Sequence, residues 1–376
     1  MAEQAKSDAS KQRHALSWAS DSNYTTTVPS YAWYFLKSQL TPLPQPKGNF
    51  DGQTVIVTGA NVGLGLEAAR TVVRLGASKV ILACRDPAKA DAARADIEAS
   101  TGRAPGVVEC WQVDVGSLDS VREFCARADK SLTRVDALIA NAAVAIPTYV
   151  ACDGGLESTI AVNVVGALFM AVLLLPSMRR TAARFNVEPR VSFVGSDAHQ
   201  FARFAERNPP PGRGGILDVF RDPAAMDTDR YNVSKVMILM CARELAARLD
   251  GGGGGGGGGD DHPERNPVVV NTLNPGMCRS QLFRHAPFPL DWIVALGVRL
   301  VGRSTEVGSR TLVAAAAAGR ESHGKYMLDC VVVEGAESPL VRSEEGRAVQ
   351  VRVFDEIMAE LEKVHPGIGK ILAGSA

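Results

Sequence analysis

The stretch TVIVTGANVGLG at residues 54–65 decides how the rest of the chain is interpreted. Its first six residues are rich in β-branched side chains and end in glycine, which is typical of a buried strand. The overlapping segment GLEAARTVVRLG (65–76) has apolar side chains at helical spacing and predicts a helix. Gly59 permits a sharp turn off the strand, while Gly63 and Gly65 lack Cβ atoms and allow close approach. Because a helix N-terminus has free N–H groups and a partial positive charge, we predict that this turn binds the pyrophosphate of a dinucleotide.

The alternation of strand and helix continues along the chain. Further strand-like runs are KVILACR (79–85), GVVECWQVDV (106–115), VDALIANAA (135–143), RVSFVGS (190–196), PVVVNTLNPG (267–276) and GKYMLDCVVV (324–333). Apolar strands that alternate with helices predict a parallel sheet covered on both faces. The predicted fold class is therefore α/β, with a single Rossmann-type doubly wound parallel sheet flanked by helices on both faces.

The sequence divides into a central domain and two extensions. Residues 51–335 carry the strand–helix pattern and predict one dinucleotide-binding domain. Residues 1–50 show little periodicity and predict a flexible or loosely docked arm, in which YAWYFLKSQL could form one short helix. Residues 336–376 predict a helical extension. Within the domain we predict substrate loops at 201–230 and 277–303, and a surface loop for the nine consecutive glycines at 251–259.

Composition argues against several classes of function. Among 376 residues, 41 Lys and Arg side chains balance 41 Asp and Glu side chains, so the bulk charge does not favour nucleic acid as a partner. The seven cysteines form no C-x-x-C pair and their number is odd, which indicates reduced thiols in a cytoplasmic compartment. The six histidines form no H-E-x-x-H pattern, and we predict no metal site.

The apolar stretches do not predict a membrane span. The segment MAEQAKSDASKQRH at the start is polar and precedes no apolar run of signal-peptide length. The longest apolar stretch, VVGALFMAVLLLP (164–176), is shorter than the ~20 residues that cross a bilayer and predicts a buried helix. We therefore expect a cytoplasmic protein without a transmembrane segment.

Arg85, in LACRD at the end of the second strand, bears on the choice of cofactor. In sites of this kind an acidic side chain binds the ribose 2′-hydroxyl, whereas an arginine fits a 2′-phosphate. The adjacent Asp86 keeps both interpretations open. We favour NADP(H), with NAD(H) as the alternative.

Several motifs, in order along residues 51–335, resemble those of the short-chain dehydrogenase/reductase family. They are TGANVGLG (58–65), VDV (113–115), NAA (141–143), VNVVGALF with Asn163, VGSDAH with Ser196, YNVSK (231–235) and NPG (274–276). The segments ASKVILACR and VSK are similar to those of retinol-dehydrogenase-like and fungal biosynthetic reductases. The resemblance implies that the cofactor contacts Gly59, Asn61, Gly63, Leu64, Gly65, Arg85, Asp114, Asn141, Tyr231, Lys235, Pro275, Gly276 and Met277.

The resemblance also implies four catalytic residues, Asn163, Ser196, Tyr231 and Lys235. Tyr231 and Lys235 are one helical turn apart and face the same side. The charge of Lys235, with that of an oxidised nicotinamide, is expected to lower the pKa of Tyr231 from ~10 towards neutrality, where acid–base catalysis works best. Ser196 is expected to hydrogen-bond the substrate oxygen. Asn163 is expected to orient Lys235 through a backbone carbonyl and water.

Two features bear on the substrate side. Ser192 is the alternative candidate for the catalytic serine, although it lies inside the strand and not at its carboxyl end, where ligands bind. Apolar side chains in the long segment before Tyr231 are expected to form part of the substrate rim, namely Phe201, Phe204, Leu217 and Phe220. The apolar segment 277–298 suggests a second wall and a bulky substrate. A core helix, or a patch that contacts a partner or a membrane, would explain that segment equally well.

These observations predict an NADP(H)-dependent oxidoreductase that interconverts a carbonyl and an alcohol on a bulky hydrophobic small molecule. The resemblance to fungal reductases suggests secondary-metabolite (polyketide) biosynthesis, and the family implies a homodimer or homotetramer. The alternative is a non-catalytic NADP(H)-binding regulatory protein on the same fold, against which the complete catalytic set argues. An extended-type epimerase or dehydratase has a different glycine spacing and needs a longer substrate domain.

Overall fold

The fold is built on one sheet of eight strands. The computed structural model describes residues 28–251, 266–280, 282 and 290–374. The strands are β1 (Thr54–Thr58), β2 (Lys79–Cys84), β3 (Val108–Gln112), β4 (Ala137–Ala140), β5 (Arg190–Val194), β6 (Val269–Asn274), β7 (Tyr326–Leu328) and β8 (Val331–Val332). Their order is β3-β2-β1-β4-β5-β6-β7-β8, in which β1 to β7 run parallel and β8 is antiparallel to β7.

Helices connect the strands and extend beyond them. They are α1 (Val28–Leu40), α2 (Gly63–Arg74), α3 (Pro87–Thr101), α4 (Leu118–Ser131), α5 (Ser158–Phe185), α6 (Ile216–Val219), α7 (Arg230–Leu249), α8 (Leu290–Val301), α9 (Thr305–Ala317), α10 (Pro339–Arg342), α11 (Glu344–Val364) and α12 (Ile368–Ala373). Short 3₁₀ turns lie between several of them. The predicted fold class is confirmed: a doubly wound, mainly parallel sheet has helices on both faces.

The core forms two apolar layers, one on each face of the sheet. Successive side chains of a strand point to opposite faces, so Val55 and Val57 of β1 pack in one layer and Ile56 in the other. All three are fully buried. Side chains of α2, α3 and α9 complete the first layer, and side chains of α4, α5 and α7 complete the second.

The long apolar helix α5 belongs to the second layer. By length and composition Ser158–Phe185 could cross a membrane, and it is the one helix of that kind in the described parts of the chain. However, 89% of its most apolar 18-residue segment is buried inside the molecule. Its hydrophobicity is therefore accounted for by packing in the core, as the sequence predicts.

The last predicted strand, GKYMLDCVVV (324–333), is instead a hairpin of β7 and β8. The chain reverses at Asp329 and Cys330, which have φ of 48° and 73°. Two adjacent left-handed residues are the geometry of a tight hairpin turn. The prediction of a single strand was wrong because the apolar run is continuous across the turn and lacks the glycine that usually marks it.

The N-terminal extension contains the short helix that YAWYFLKSQL suggests, within α1 (Val28–Leu40), but this helix is not flexible or loosely docked. Residues 1–27 lie outside the described residues, but α1 is firmly packed: Tyr34 is 2% exposed. Ser38 donates hydrogen bonds of 3.0 and 2.8 Å to the carboxylate of Asp329. Arg303 donates to the Ser38 carbonyl at 2.6 Å and to Asp329 at 2.7 Å. These partners are more than 250 residues from α1 in the chain. The local sequence pattern therefore could not predict that the helix docks against them.

Candidate active site

A cavity of about 760 Å³ opens at the carboxyl ends of the central strands. Its wall includes Gly59 after β1, Asn141 after β4, Gly195 after β5 and Pro275 after β6. The chain order of the strands reverses between β1 and β4, which is where open α/β sheets bind ligands. A second cavity of the same volume lies near the amino ends of β5 and β6, away from the glycine-rich turn.

The glycine-rich turn fits a dinucleotide. Gly59 and Gly63 both have φ of 64°, a conformation that favours glycine. A Cβ atom on Gly63 would meet nothing within 4 Å, so this residue leaves open space in front of the N-terminus of α2. Asn61 and Leu64 also line the cavity. The free N–H groups at this helix end can therefore face an anionic group in the cavity.

Gly65, in contrast, does not line the cavity. A Cβ atom at this position would lie 2.6 Å from both Asn141 Nδ2 and the Gly59 carbonyl oxygen. Asn141 Nδ2 in turn donates to the Thr58 and Gly59 carbonyls at 2.9 and 3.3 Å. The third glycine is thus needed for close packing behind the turn, and its predicted contact with the cofactor is not supported by its position.

The end of the cavity next to β2 and α3 is lined by charged side chains. Arg85 lines it, and its guanidinium has no hydrogen bond or ion pair within the described part of the chain. Asp86 also lines the cavity, and its carboxylate caps α3 by accepting from Lys89 N at 3.2 Å and pairs with Lys89 Nζ at 3.2 Å. Lys89 also lines the cavity, a residue that the sequence reasoning missed. Its place in the first turn of the helix after Arg85 was the available sequence clue.

Asp114 lies in the cavity wall after β3, as predicted from VDV. Its Oδ1 accepts a hydrogen bond of 2.9 Å from Gly116 N, while its own N–H donates to Ser120 Oγ at 3.0 Å. These two hydrogen bonds hold the turn in its conformation. On the opposite side, the NPG loop contributes Pro275 and Gly276 to the wall, followed by Met277.

Ser196, Tyr231 and Lys235 come together in the cavity. Ser196 follows β5, and its hydroxyl shares a hydrogen bond with the hydroxyl of Tyr231, in the first turn of α7. Lys235 lies one turn further on, with Nζ 5.6 Å from the centroid of the Tyr231 ring. Lys235 Nζ donates a 2.8 Å hydrogen bond to the Val194 carbonyl. The three side chains thus form one compact group beside the glycine-rich turn.

The electrostatics of this group differ from the expectation. Burial raises the pKa of Tyr231 above its ordinary value, and the hydrogen bond with Ser196 opposes this rise. Burial also lowers the pKa of Lys235 to about 8. Desolvation of the phenolate is the largest influence on the pKa of Tyr231 in the protein alone, so the expected lowering by Lys235 together with an oxidised nicotinamide stays a prediction.

Asn163 does not line the cavity and lies in a π-helical segment of α5, Ala161–Gly166. Its Oδ1 accepts from Val144 N at 2.8 Å, and its Nδ2 donates to the Val144 carbonyl at 2.9 Å and to Ser234 Oγ at 3.0 Å. The side chain therefore fixes the loop after β4 against α7. Such π-segments often occur at functional sites.

The alternative serine, Ser192, is excluded by its position. It is fully buried in β5, and its hydroxyl has no hydrogen-bond partner among the described atoms. It is absent from the cavity wall. Of these two serines, Ser196, which follows the strand, is the one that lines the cavity.

The predicted substrate rim is only partly correct. Phe201 lines the cavity and is 51% exposed. Phe204, Leu217 and Phe220 are instead buried in the core. The C-terminal helix α11 packs over the segment that contains Leu217. Glu356 of this helix accepts a hydrogen bond of 3.1 Å from Leu217 N.

The second predicted wall is present in part. Within the described residues of 277–298, the cavity is lined by Met277, Cys278, Ser280, Leu282 and Val298. Residues 281 and 283–289 lie outside the described residues. Tyr31 and Phe35 of α1 also line the cavity, and the sequence reasoning assigned neither to the site. Their i, i+4 spacing in YAWYFLKSQL was the one clue.

The strand order and the cavity define the chain as a Rossmann-type α/β protein with a ligand site at the switch point. Residues 53–198 match the family model described as short chain dehydrogenase. The chain is 40% identical to the short chain dehydrogenase/reductase dmxR8 of Cryptosporiopsis sp. (strain 8999), over 89% of this chain and 98% of the relative. It is 38% identical to the short-chain dehydrogenase anuD of Penicillium roqueforti, over 93% of this chain and 88% of the relative.

Solved structures agree on the fold. A short-chain dehydrogenase/reductase from Brucella melitensis superposes with a TM-score of 0.52 at 17% identity, covering 74% of this chain and 96% of that one. A short chain dehydrogenase from Shigella flexneri, solved in complex with NADP, gives 0.51 at 18% identity over 74% and 98%. The chain belongs to the short-chain dehydrogenase/reductase family. It is an oxidoreductase of that family, which binds NAD(P).

Proposed function

We propose that this oxidoreductase uses NADP(H) to interconvert a carbonyl and an alcohol on a bulky hydrophobic small molecule. The observation that carries the proposal is that Ser196, Tyr231 and Lys235 line one cavity together with the glycine-rich turn. A hydroxyl pair of this kind can hold a substrate oxygen, and a buried amine beside it can hold charge.

Each residue of the group has a distinct task in the proposed reaction. Tyr231 donates a proton to the substrate oxygen during reduction and removes it during oxidation. Ser196 hydrogen-bonds the same oxygen and stabilises its developing charge. Lys235 supplies positive charge beneath the tyrosine, and Asn163 acts as a positioning residue through Ser234 and the loop after β4. The bound cofactor supplies or accepts the hydride.

The choice of NADP(H) over NAD(H) rests on Arg85. The Arg85 guanidinium has no hydrogen bond or ion pair with the described residues, and Lys89 lines the same cavity. A guanidinium binds phosphate with several charged donors, which favours a 2′-phosphate. Asp86, the side chain that would favour NAD(H), is engaged by its cap and by Lys89.

The wider biological setting is also a proposal. Similarity to dehydrogenases of fungi supports a role in secondary-metabolite, in particular polyketide, biosynthesis. All seven cysteines are free thiols, which supports a reducing, cytoplasmic location. The family resemblance supports a homodimer or homotetramer, which size-exclusion chromatography with light scattering would test.

Replacement of Tyr231 by phenylalanine tests the proposed function. The purified protein is screened with NADPH and NADH against a panel of ketones, with the nicotinamide absorbance as readout. Tyr231→Phe removes the proton donor and should lower kcat by about 10²–10⁴-fold, with cofactor affinity changed less than about 3-fold. Tyr149→Phe is the matched control, because Tyr149 bonds the Gly155 and Arg221 carbonyls outside the cavity.

Two outcomes would count against the proposal. Unchanged turnover in Tyr231→Phe would remove the assigned acid. Cofactor binding without turnover of any ketone or alcohol in the panel would favour the alternative, a non-catalytic NADP(H)-binding protein.

A further inference from the structure

The N-terminal helix α1 contributes a wall to the active-site cavity. It lies before the residues that match the family model, 53–198, yet Tyr31 and Phe35 line the cavity. Gln39 ties the helix to the loop after NPG: its Nε2 donates to the Met277 carbonyl at 2.9 Å, and its Oε1 accepts from Met277 N at 3.1 Å. The position of this wall is thus fixed relative to the site.

The wall is aromatic. The rings of Tyr31 and Phe201 meet edge to face, with centroids 4.7 Å apart and planes at 83°. Phe35 stacks on Tyr31 with centroids 6.2 Å apart and planes at 25°. Edge-to-face and offset contacts are the arrangements that aromatic rings prefer, and a further ring in the cavity could extend the cluster in the same way.

A carboxyl group lies beside this wall. Asp197 follows the catalytic Ser196, lines the cavity and is 8% exposed. Its Oδ1 accepts a hydrogen bond of 3.1 Å from the Tyr326 hydroxyl, and the Asn274 side chain donates to it as well. A carboxylate can accept about four hydrogen bonds. The bonds from Tyr326 and Asn274 use only part of this capacity, so Asp197 can accept a further hydrogen bond.

The charges around Asp197 favour a neutral donor as its partner. Burial and the negative charge of Asp329 raise the pKa of Asp197 to about 7. Arg303 forms its close ion pair with Asp329 instead, at 2.7 Å. Burial and the negative charge of Asp197 raise the pKa of Tyr31, so this phenol stays protonated at neutral pH. A hydroxyl group on a ligand would relieve the desolvation of the Asp197 carboxylate without adding charge.

We infer that α1 and Asp197 form a substrate subsite for an aromatic ring that carries a hydroxyl group. The ring packs against Tyr31, Phe35 and Phe201, and its hydroxyl donates to Asp197. The inference rests on the proposed function and deepens it, because it names the chemical class of the substrate. It makes Tyr31, Phe35 and Asp197 specificity-determining residues and gives them no part in proton transfer.

Binding of two unreactive probes tests the subsite apart from catalysis. The probes are 1-naphthol and its methyl ether 1-methoxynaphthalene, titrated calorimetrically into the full-length protein saturated with NADP⁺. We expect 1-naphthol to bind about 10-fold more tightly, because only it can donate to the carboxylate. Asp197→Asn should reduce this ratio to about 3-fold or less.

The aromatic wall is tested with a matched pair of variants on one helix. Phe35→Leu should weaken both probes by about 5-fold and leave their ratio unchanged. Trp33→Leu is the control, because Trp33 is 68% exposed and absent from the cavity wall. Circular dichroism and NADPH affinity establish that each variant is folded.

Three results would overturn the subsite: equal affinity of the two probes for the unmodified protein, an unchanged ratio in folded Asp197→Asn, or identical behaviour of Phe35→Leu and Trp33→Leu. Failure of the proposed function gives a different pattern. A protein that distinguishes the probes as expected but reduces no ketone keeps the subsite and loses the oxidoreduction step.

Discussion

Lys235 is a charged side chain held almost entirely out of water. It is 3% exposed, and its one hydrogen bond among the described contacts goes to the Val194 carbonyl. Burial disfavours the ammonium form and lowers its pKa to about 8. Tyr231 responds to the same burial in the opposite direction, because its charged form is the deprotonated one. The pKa values of the two residues therefore move apart, and both side chains remain protonated at neutral pH.

The pH dependence of activity should report Lys235. The protonated amine is the active form, so kcat/KM for NADPH, which reflects the free enzyme, should fall as pH rises through about 8. An arginine stays charged at any such pH. The residual activity of Lys235→Arg should therefore lose this alkaline limb. An identical limb in both proteins would assign the titration to another group.

Cofactor preference should depend on Arg85 and Lys89. Arg85→Asp places a carboxylate where a 2′-phosphate is expected, and the ratio of kcat/KM for NADPH over NADH should fall by about 10–100-fold. Lys89→Ala should lower the ratio less. Arg94→Ala is the control, since Arg94 pairs with Asp91 on the same helix and does not line the cavity. A ratio unaffected by Arg85→Asp would mean that the phosphate contact lies elsewhere.

At the level of secondary-structure elements, α1 is the piece that depends most on distant partners. The β7–β8 hairpin supplies Asp329, the segment before α9 supplies Arg303, and both meet Ser38 in the interior. All three residues are at most 6% exposed. A buried carboxylate that accepts from a guanidinium and a hydroxyl fixes the angle of the helix as well as its position.

Loss of the Asp329 charge should loosen α1. Asp329→Asn is the suitable change, because asparagine tolerates the φ of 48° at this position. It leaves Arg303 buried without its counter-charge and should lower the free energy of unfolding by ~2–3 kcal/mol in urea titrations. Glu334→Gln removes the exposed pair with Lys325 and should cost less than ~0.5 kcal/mol. Equal effects would contradict the anchoring role.

At the scale of the whole molecule, the site depends on how closely α5 packs against the turn after β3. Gly166, at the end of the π-helical segment, allows the approach: a Cβ atom there would lie 1.9 Å from the Val115 carbonyl oxygen. Val115 follows Asp114 and lines the cavity. The contact between Gly166 and Val115 therefore links the packing of α5 to the shape of the cavity.

Gly166→Ala should accordingly affect both stability and cofactor binding. Overpacking of this size is expected to cost ~2–3 kcal/mol of unfolding free energy, and the shift of Val115 should weaken NADPH affinity. Gly369→Ala is the control, because its nearest contact would be a side-chain atom at 3.9 Å. That variant should stay within ~1 kcal/mol of the parent. If Gly166→Ala had the unfolding free energy and NADPH affinity of the parent protein, the close approach at Gly166 would not be required.

Much of the site was predictable because its parts are short and local. The glycine turn, Arg85 and the Tyr231–Lys235 pair each lie within one turn or one strand end, and the structure brings them to one cavity. The packing role of Gly65 could not be separated from a cofactor contact, because close packing and ligand contact both require a residue without a Cβ atom. Phe204, Leu217 and Phe220 were misassigned because an apolar side chain at a cavity rim and one in the core look alike in the sequence.

The order of strands and helices, the position of the glycine-rich turn and the spacing of the tyrosine and lysine follow from periodicity and residue type, which act over a few neighbouring residues. The docking of α1, the link from Ser38 to Asp329 and Arg303, and the place of Asp197 beside an aromatic wall depend on contacts between residues 26 to 291 positions apart. The directions of the pKa shifts belong to the second group as well. They arise from desolvation, and the water around a side chain is known only when the surrounding chain has folded.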